Sequence, residues 1–216
     1  MTKAINGFTQ PQTNCPFRHQ HHRKIVSSLD NLLNDLLSGN ENRAEEAVTA
    51  LAEKGADAIP PLLDLLNSPD VDRRWWALRA LAENPETKSR YFIPYLSDPA
   101  EEIRQCAALA LTAHPGPEAV PALIDALSDP DDLTAMLAAR ALASLGSEAV
   151  EPLLEVLKEA PLTARIQAMR ALSEIADQRA IPAMISALDD ASTLLRYWAE
   201  LGLERLGLNM VYLKPE

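Results

Sequence analysis

An alanine–leucine pair returns along this chain at nearly constant spacing, and that return constrains the fold more than any other feature. The pairs are Ala50-Leu51, Ala80-Leu81, Ala110-Leu111, Ala141-Leu142 and Ala171-Leu172, with Gly202-Leu203 taking the sixth place. Successive pairs lie 30, 30, 31, 30 and 31 residues apart. A leucine stands 14 residues before each one: Leu36, Leu66, Leu96, Leu127, Leu157 and Leu188. An alanine stands 3 residues before each: Ala47, Ala77, Ala107, Ala138, Ala168 and Ala199. A unit of this length is one supersecondary element. It cannot bury its apolar face alone, so neighbouring units must stack.

Each unit reads as two helices. The first opens with proline in its first turn, as in Ile59-Pro60-Pro61-Leu62, Val120-Pro121-Ala122-Leu123 and Ile181-Pro182-Ala183-Met184. Proline loses nothing there, because that N–H has no intrahelical partner. A polar turn follows (Ser68-Pro69-Asp70, Ser97-Asp98-Pro99, Ser128-Asp129-Pro130), whose Ser and Asp side chains are suited to capping the second helix. The second helix then runs to Gly55, Gly146 or Gly207, where glycine suits a left-handed ending. The third unit departs from this plan. Asn84-Pro85 replaces the glycine and Pro94 crowds Leu96, so its first helix is expected to be short.

The Ile/Val-Pro-x-Leu/Met starts, the aspartate turn and the second-helix motif Arg-x-x-Ala-x-x-Ala-Leu together resemble the HEAT-repeat family. They resemble in particular the HEAT-like repeats of phycobilisome bilin lyases and phycobilisome-degradation proteins. The motif reads Arg74-Ala77-Ala80-Leu81, Arg104-Ala107-Ala110-Leu111 and Arg165-Ala168-Ala171-Leu172. The resemblance implies an all-α fold, a right-handed α-solenoid of about six two-helix units over residues 25–208, between an N-terminal arm (1–24), expected to be flexible, and a C-terminal tail (209–216). It also implies that each arginine bridges to a turn acid of its own or a neighbouring unit: Asp98, Asp129, Glu159 or Asp190. Ala135 breaks that ladder in the fourth unit.

Turning 100° per residue separates the second helix into faces. Positions −6, −3 and +1 from the first residue of each pair point into the stack. Positions −8, −4, −1 and +3 point away from it, onto the face that is concave in HEAT proteins. A face without a duty should be charged. This one holds Trp76, Arg79, Cys106, Leu109, Leu137, Arg140, Gln167, Arg170, Trp198 and Leu201. Trp and Arg are enriched at binding hot spots, so these residues are the expected partner-binding groove. Trp75 and Tyr197 flank it, where packing between units is the expectation.

Other chemistry is sparse. Cys15, His19, His21 and His22 have ligand types suited to a transition metal, but on a short arm they lack fixed geometry, and no metal or other cofactor is expected. No phosphate loop, nucleophile elbow or His-Glu-x-x-His motif occurs, so no catalytic residues are assigned. A net charge of −11 opposes nucleic-acid binding. The absence of a long apolar run and of a signal sequence leads to an expected cytoplasmic, non-membrane protein, monomeric or weakly dimeric. The function expected is a non-catalytic scaffold, adaptor or assembly factor that holds a protein or peptide in the groove. The alternative, implied by the resemblance, is a bilin-lyase-like or phycobilisome-degradation-like protein that binds a phycobiliprotein or an open-chain tetrapyrrole.

Overall fold

A computed structural model describes residues 28–208; the N-terminal Cys/His cluster and the C-terminal tail lie outside the described residues. Among the described residues, eleven α-helices build six units. The first unit pairs α1 (Leu29–Leu36) with α2 (Glu41–Ala52), and the second pairs α3 (Ile59–Leu65) with α4 (Val71–Glu83). The third has the single α-helix α5 (Glu101–Ala113). Then come α6 (Val120–Ala126) with α7 (Asp132–Leu145), α8 (Val150–Glu159) with α9 (Leu162–Ile175), and α10 (Ile181–Ala187) with α11 (Thr193–Arg205). No strand occurs among the described residues. Each second helix packs against the next, in the order α2, α4, α5, α7, α9, α11, while the first helices lie along one side. The fold is an all-α solenoid.

The alanine column explains the close stacking. Ala77, Ala107, Ala138, Ala168 and Ala199 are fully buried, where a larger side chain would hold adjacent helices apart. In the third unit, two short 3-10 segments, Ser89–Tyr91 and Ile93–Ser97, replace the first α-helix. Pro94 sits in the first turn of the second segment, and Phe92 between them is fully buried, so the shortened element still reaches the core.

The arginine ladder runs forward, from the second, third and fifth units to the turn of the next. Arg104 grips Asp129 with two hydrogen bonds, Nε to Oδ2 at 2.8 Å and Nη2 to Oδ1 at 2.9 Å. Arg74 donates Nη2 to Asp98 Oδ1 at 2.9 Å, and its buried Nε finds no partner among the described residues. Arg165 lies 3.7 Å from Asp190, outside hydrogen-bond range. Arg74 and Arg104 also donate Nη1 to the carbonyl oxygens of their own turns, at Ser68 and Asp98, each at 3.0 Å.

Asp70 caps α4 as expected, but two of the turn aspartates behave differently. Asp98 and Asp129 do not cap the second helices. Each folds back to accept a backbone N–H two residues on, at Ala100 and Asp131, and offers its carboxylate to the arginine. Capping falls to Asp70 on α4 and to Asp131 on α7. The helix-ending glycines take a positive φ, +56° at Gly55, +63° at Gly146 and +78° at Gly207, although Gly146, with ψ −130°, is not in the left-handed helical region. In the fifth unit Ala176 occupies the same place at φ 52°, a conformation that costs an L-residue roughly 1–2 kcal/mol.

Candidate functional site

The second-helix face holds a concavity of about 510 Å³ that spans three helices. Arg79 and Glu83 of α4 form one wall, Cys106, Leu109 and Ala110 of α5 the floor, and Arg140 of α7 the far wall. Four residues expected in the groove, Arg79, Cys106, Leu109 and Arg140, are thus brought together. The small side chains Ala82, Ala110 and Ala113 leave the space open.

The remaining expected residues sit elsewhere on the same face. Trp76 is half-buried beside Leu36, Leu37 and Gly39, at the turn of the first unit, and stacks edge-on against Trp75 with ring centres 4.9 Å apart. Leu137 is buried and belongs with the core. Gln167 is half-buried, and its carbonyl oxygen finds no hydrogen-bond donor among the described residues. The guanidinium of Arg170 lies over the Trp198 ring at 5.2 Å, a cation–π contact that no spacing rule foretold. Leu201 is half-buried. Tyr197 was expected to pack between units, but it is 53% exposed, because no further unit follows α11 among the described residues.

Exposed apolar side chains mark this face. Leu109 is 50%, Leu133 42% and Leu194 55% exposed, one each on α5, α7 and α11. All three lie at the −8 or −1 position of the second helix. Between them the charges divide. On α2, α4 and α5 the outward positions carry the acids Glu46, Asp72, Glu83 and Glu102, and the single base Arg79. Arg79 is held by Glu83 at 2.9 Å and by Glu45 at 3.5 Å. On α7, α9 and α11 they carry Arg140, Arg170 and Arg205 against Glu174 alone. Arg170 pairs with Glu174 at 3.4 Å, and Arg205 donates to the Ser173 carbonyl at 2.9 Å. Arg140 is exposed and has no ion pair or hydrogen bond among the described residues.

Cys106 has no nucleophile's environment. Burial pushes its thiol up to about 12, only partly opposed by the Arg79 guanidinium, so it stays protonated at neutral pH and serves as an apolar wall. His114 ends α5; its Nε2 donates to the Ala82 carbonyl at 2.8 Å, and its ring lies against Phe92 with centres 5.5 Å apart. It therefore ties the third unit to the end of α4. The described residues hold no cluster of three or more His, Cys, Asp or Glu suited to a metal ion. No described helix is long and apolar enough to cross a membrane.

Sequence reasoning missed a second opening, on the first-helix side. A cleft of about 400 Å³ lies between α8 and α10, with Leu154, Leu157, Met169 and Pro182 among its apolar lining and Arg165 and Asp190 at its edge. The only sequence trace of it is the departure of the fifth unit from the glycine ending, and that does not reveal a gap.

Stacked helix pairs with a core of alanine and leucine define an α-solenoid repeat protein. Residues 89–164 match the family model for HEAT repeats, and residues 164–190 match the PBS lyase HEAT-like repeat. Among solved structures, the chain is similar to an archaeal HEAT-like repeats protein from Thermococcus onnurineus NA1. That likeness has 19% identity and a TM-score of 0.61, over 83% of this chain and 80% of that one. It is also similar to the CpcE–CpcF complex of phycocyanin lyase from Nostoc sp. PCC7120, at 22% identity and a TM-score of 0.54, over 68% of this chain and 98% of that one. At these identities the likeness is one of fold. No curated protein sequence matches the chain.

Proposed function

We propose that the chain is a non-catalytic scaffold, adaptor or assembly factor that grips a peptide or helix of another protein along its second-helix face. The observation that carries this reading is the exposure of three leucines on this face, one of which, Leu109, floors the concavity walled by Arg79 and Arg140. A stacked solenoid gains nothing in stability from leaving Leu109, Leu133 and Leu194 in water, whereas a partner that covers them gains about 25 cal/mol per Å² of apolar surface removed from solvent. The test is capture from native lysate with identification of the bound protein, repeated with Leu109→Asp and Trp198→Ala. Leu109→Asp should leave the melting temperature nearly unchanged, since exposed positions usually stay within ~0.5 kcal/mol. Both changes should weaken capture by roughly 2 kcal/mol if these side chains are hot spots. Binding indifferent to both would sink the reading.

A second reading is favoured by the match of residues 164–190 to the PBS lyase HEAT-like repeat. In it the face handles a phycobiliprotein or an open-chain tetrapyrrole, with arginines such as Arg140 set against acidic groups. Titrating purified protein with an open-chain tetrapyrrole and recording its absorbance decides the chromophore branch. A saturable spectral shift lost in Arg140→Glu supports it, and an unchanged spectrum rejects it.

A further inference from the structure

We propose that the groove is polarised and takes a dipolar amphipathic helix, whose basic end lies over α2, α4 and α5 and whose carboxylate end meets Arg140 on α7. This rests on the groove reading above and adds the chemistry and placement of the partner. Three observations carry it. Glu46, Asp72 and Glu102 stand exposed at the outward positions of the first three second helices. Across the face, the outward charges of α7, α9 and α11 are predominantly basic. Of those bases, Arg140 alone lacks a partner among the described residues: Arg170 is held by Glu174 and Trp198, and Arg205 by a carbonyl.

The place of Arg140 makes it a receptor for an anion. It walls the same concavity whose floor is Leu109, Cys106 and Ala110. An apolar side chain seated on that floor sets a neighbouring carboxylate against a guanidinium that need not first break another ion pair. A charge-assisted pair at the edge of an apolar cavity is stronger than one in open water. A uniformly acidic partner would face like charges along α2, α4 and α5, and a uniformly basic one would meet Arg140. Like-charge juxtaposition of this kind rejects wrong partners and fixes register. A nucleic acid fails on the first count.

Second helices packed 8–10 Å apart place α2 and α11 about 40–50 Å from each other. A helix of about 28 residues spans that distance. The probes are three synthetic peptides of that length with the same leucine stripe. One carries lysines in one half and glutamates in the other, one carries lysines throughout, and one carries glutamates throughout. Each is labelled with fluorescein and titrated with the full chain by anisotropy.

The segregated peptide should bind about tenfold more tightly than either uniform one, and the advantage should shrink in high salt as the charges are screened. Arg140→Glu should abolish the advantage. So should Glu102→Lys, on a different helix, which guards against a local folding defect at Arg140. Equal binding of the three peptides, or an order unchanged by both substitutions, overturns the proposal. If Leu109→Asp weakens all three peptides while Arg140→Glu changes nothing, the groove stands and its polarity falls. If no peptide responds to Leu109→Asp, the groove reading fails first and the polarity with it.

Discussion

The joint between the third and fourth units and the joint between the fifth and sixth are built from the same sequence pattern but close differently. At the first, Arg104 holds Asp129 through two hydrogen bonds, with the side chains 13% and 8% exposed. At the second, Arg165 and Asp190 stand 3.7 Å apart, 31% and 27% exposed. The leucine column follows the same trend: Leu96 and Leu127 are buried, whereas Leu157 and Leu188 are half-buried. Beside the second joint lies the cleft between α8 and α10. A shared motif therefore sets which residues meet but not how tightly. The closing of a rung depends on how near the next turn is held, and that is decided by how the first helices pack.

The largest expected effect tests this contrast directly. Arg104→Ala leaves the Asp129 carboxylate nearly buried with its partner gone, and breaking a buried pair costs about 3 kcal/mol or more. Arg165→Ala removes a longer and more exposed pair, for which less than ~1 kcal/mol is expected. Chemical denaturation of the two variants should reveal the gap. Equal losses would mean that the two joints are energetically alike despite their geometry.

A second effect is smaller and of opposite sign. Ala176 ends α9 in a left-handed conformation, at the place where Gly55, Gly146 and Gly207 supply a positive φ. Ala176→Gly should stabilise the fifth unit by about 1 kcal/mol, less the added freedom of the unfolded chain. Gly146→Ala should destabilise the fourth unit. A loss of stability in Ala176→Gly would show that the alanine methyl makes contacts worth more than its strain.

Much of the fold was legible because its causes are local and repeated. Ala107 and Ala138 had to be buried for helices to stack, and the third unit's shortened first element followed from Pro94. The ladder's residues could be named, but not its direction or tightness, because a forward bridge depends on the approach of two units rather than on either sequence. The outward face was legible as a list of positions. Helical phase placed Leu109 and Arg140 correctly on one surface, yet it could not tell that Leu137, one turn from Leu133, sinks into the core while Leu133 stays in water. Tyr197 was misjudged for a related reason. Its position is covered only where another unit follows.

The smallest expected effect is also the sharpest probe of a closed joint, because it reads contact across that joint without unfolding it. Asp131 caps α7, and its carboxyl is held down to about 2, first by the hydrogen bond from Gln105 Nε2 at 2.9 Å and then by Thr134. Gln105 belongs to the preceding unit, so the largest contribution to this depression exists only while the third and fourth units are together, whereas the hydrogen bonds from Thr134 stay with α7. Asp177 is also lowered to about 2, but by Arg179, two residues along its own chain. A carboxyl whose folded value lies below its unfolded one contributes stability above pH ~4. That contribution fades as the pH falls through the folded value, so both residues favour the folded chain at neutral pH and lose that effect on the way to pH ~2. Loosening the joint should separate them. In Arg104→Ala, or in Ala107→Leu with its overpacked helix contact, the Asp131 carboxyl followed by NMR should titrate upward toward ~3.9, while Asp177 stays where it is. Gln105→Ala should reproduce the Asp131 shift with little change in melting temperature. A parallel shift of both carboxyls would instead indicate a general loosening of the chain, and the distinction between joints would have to be abandoned.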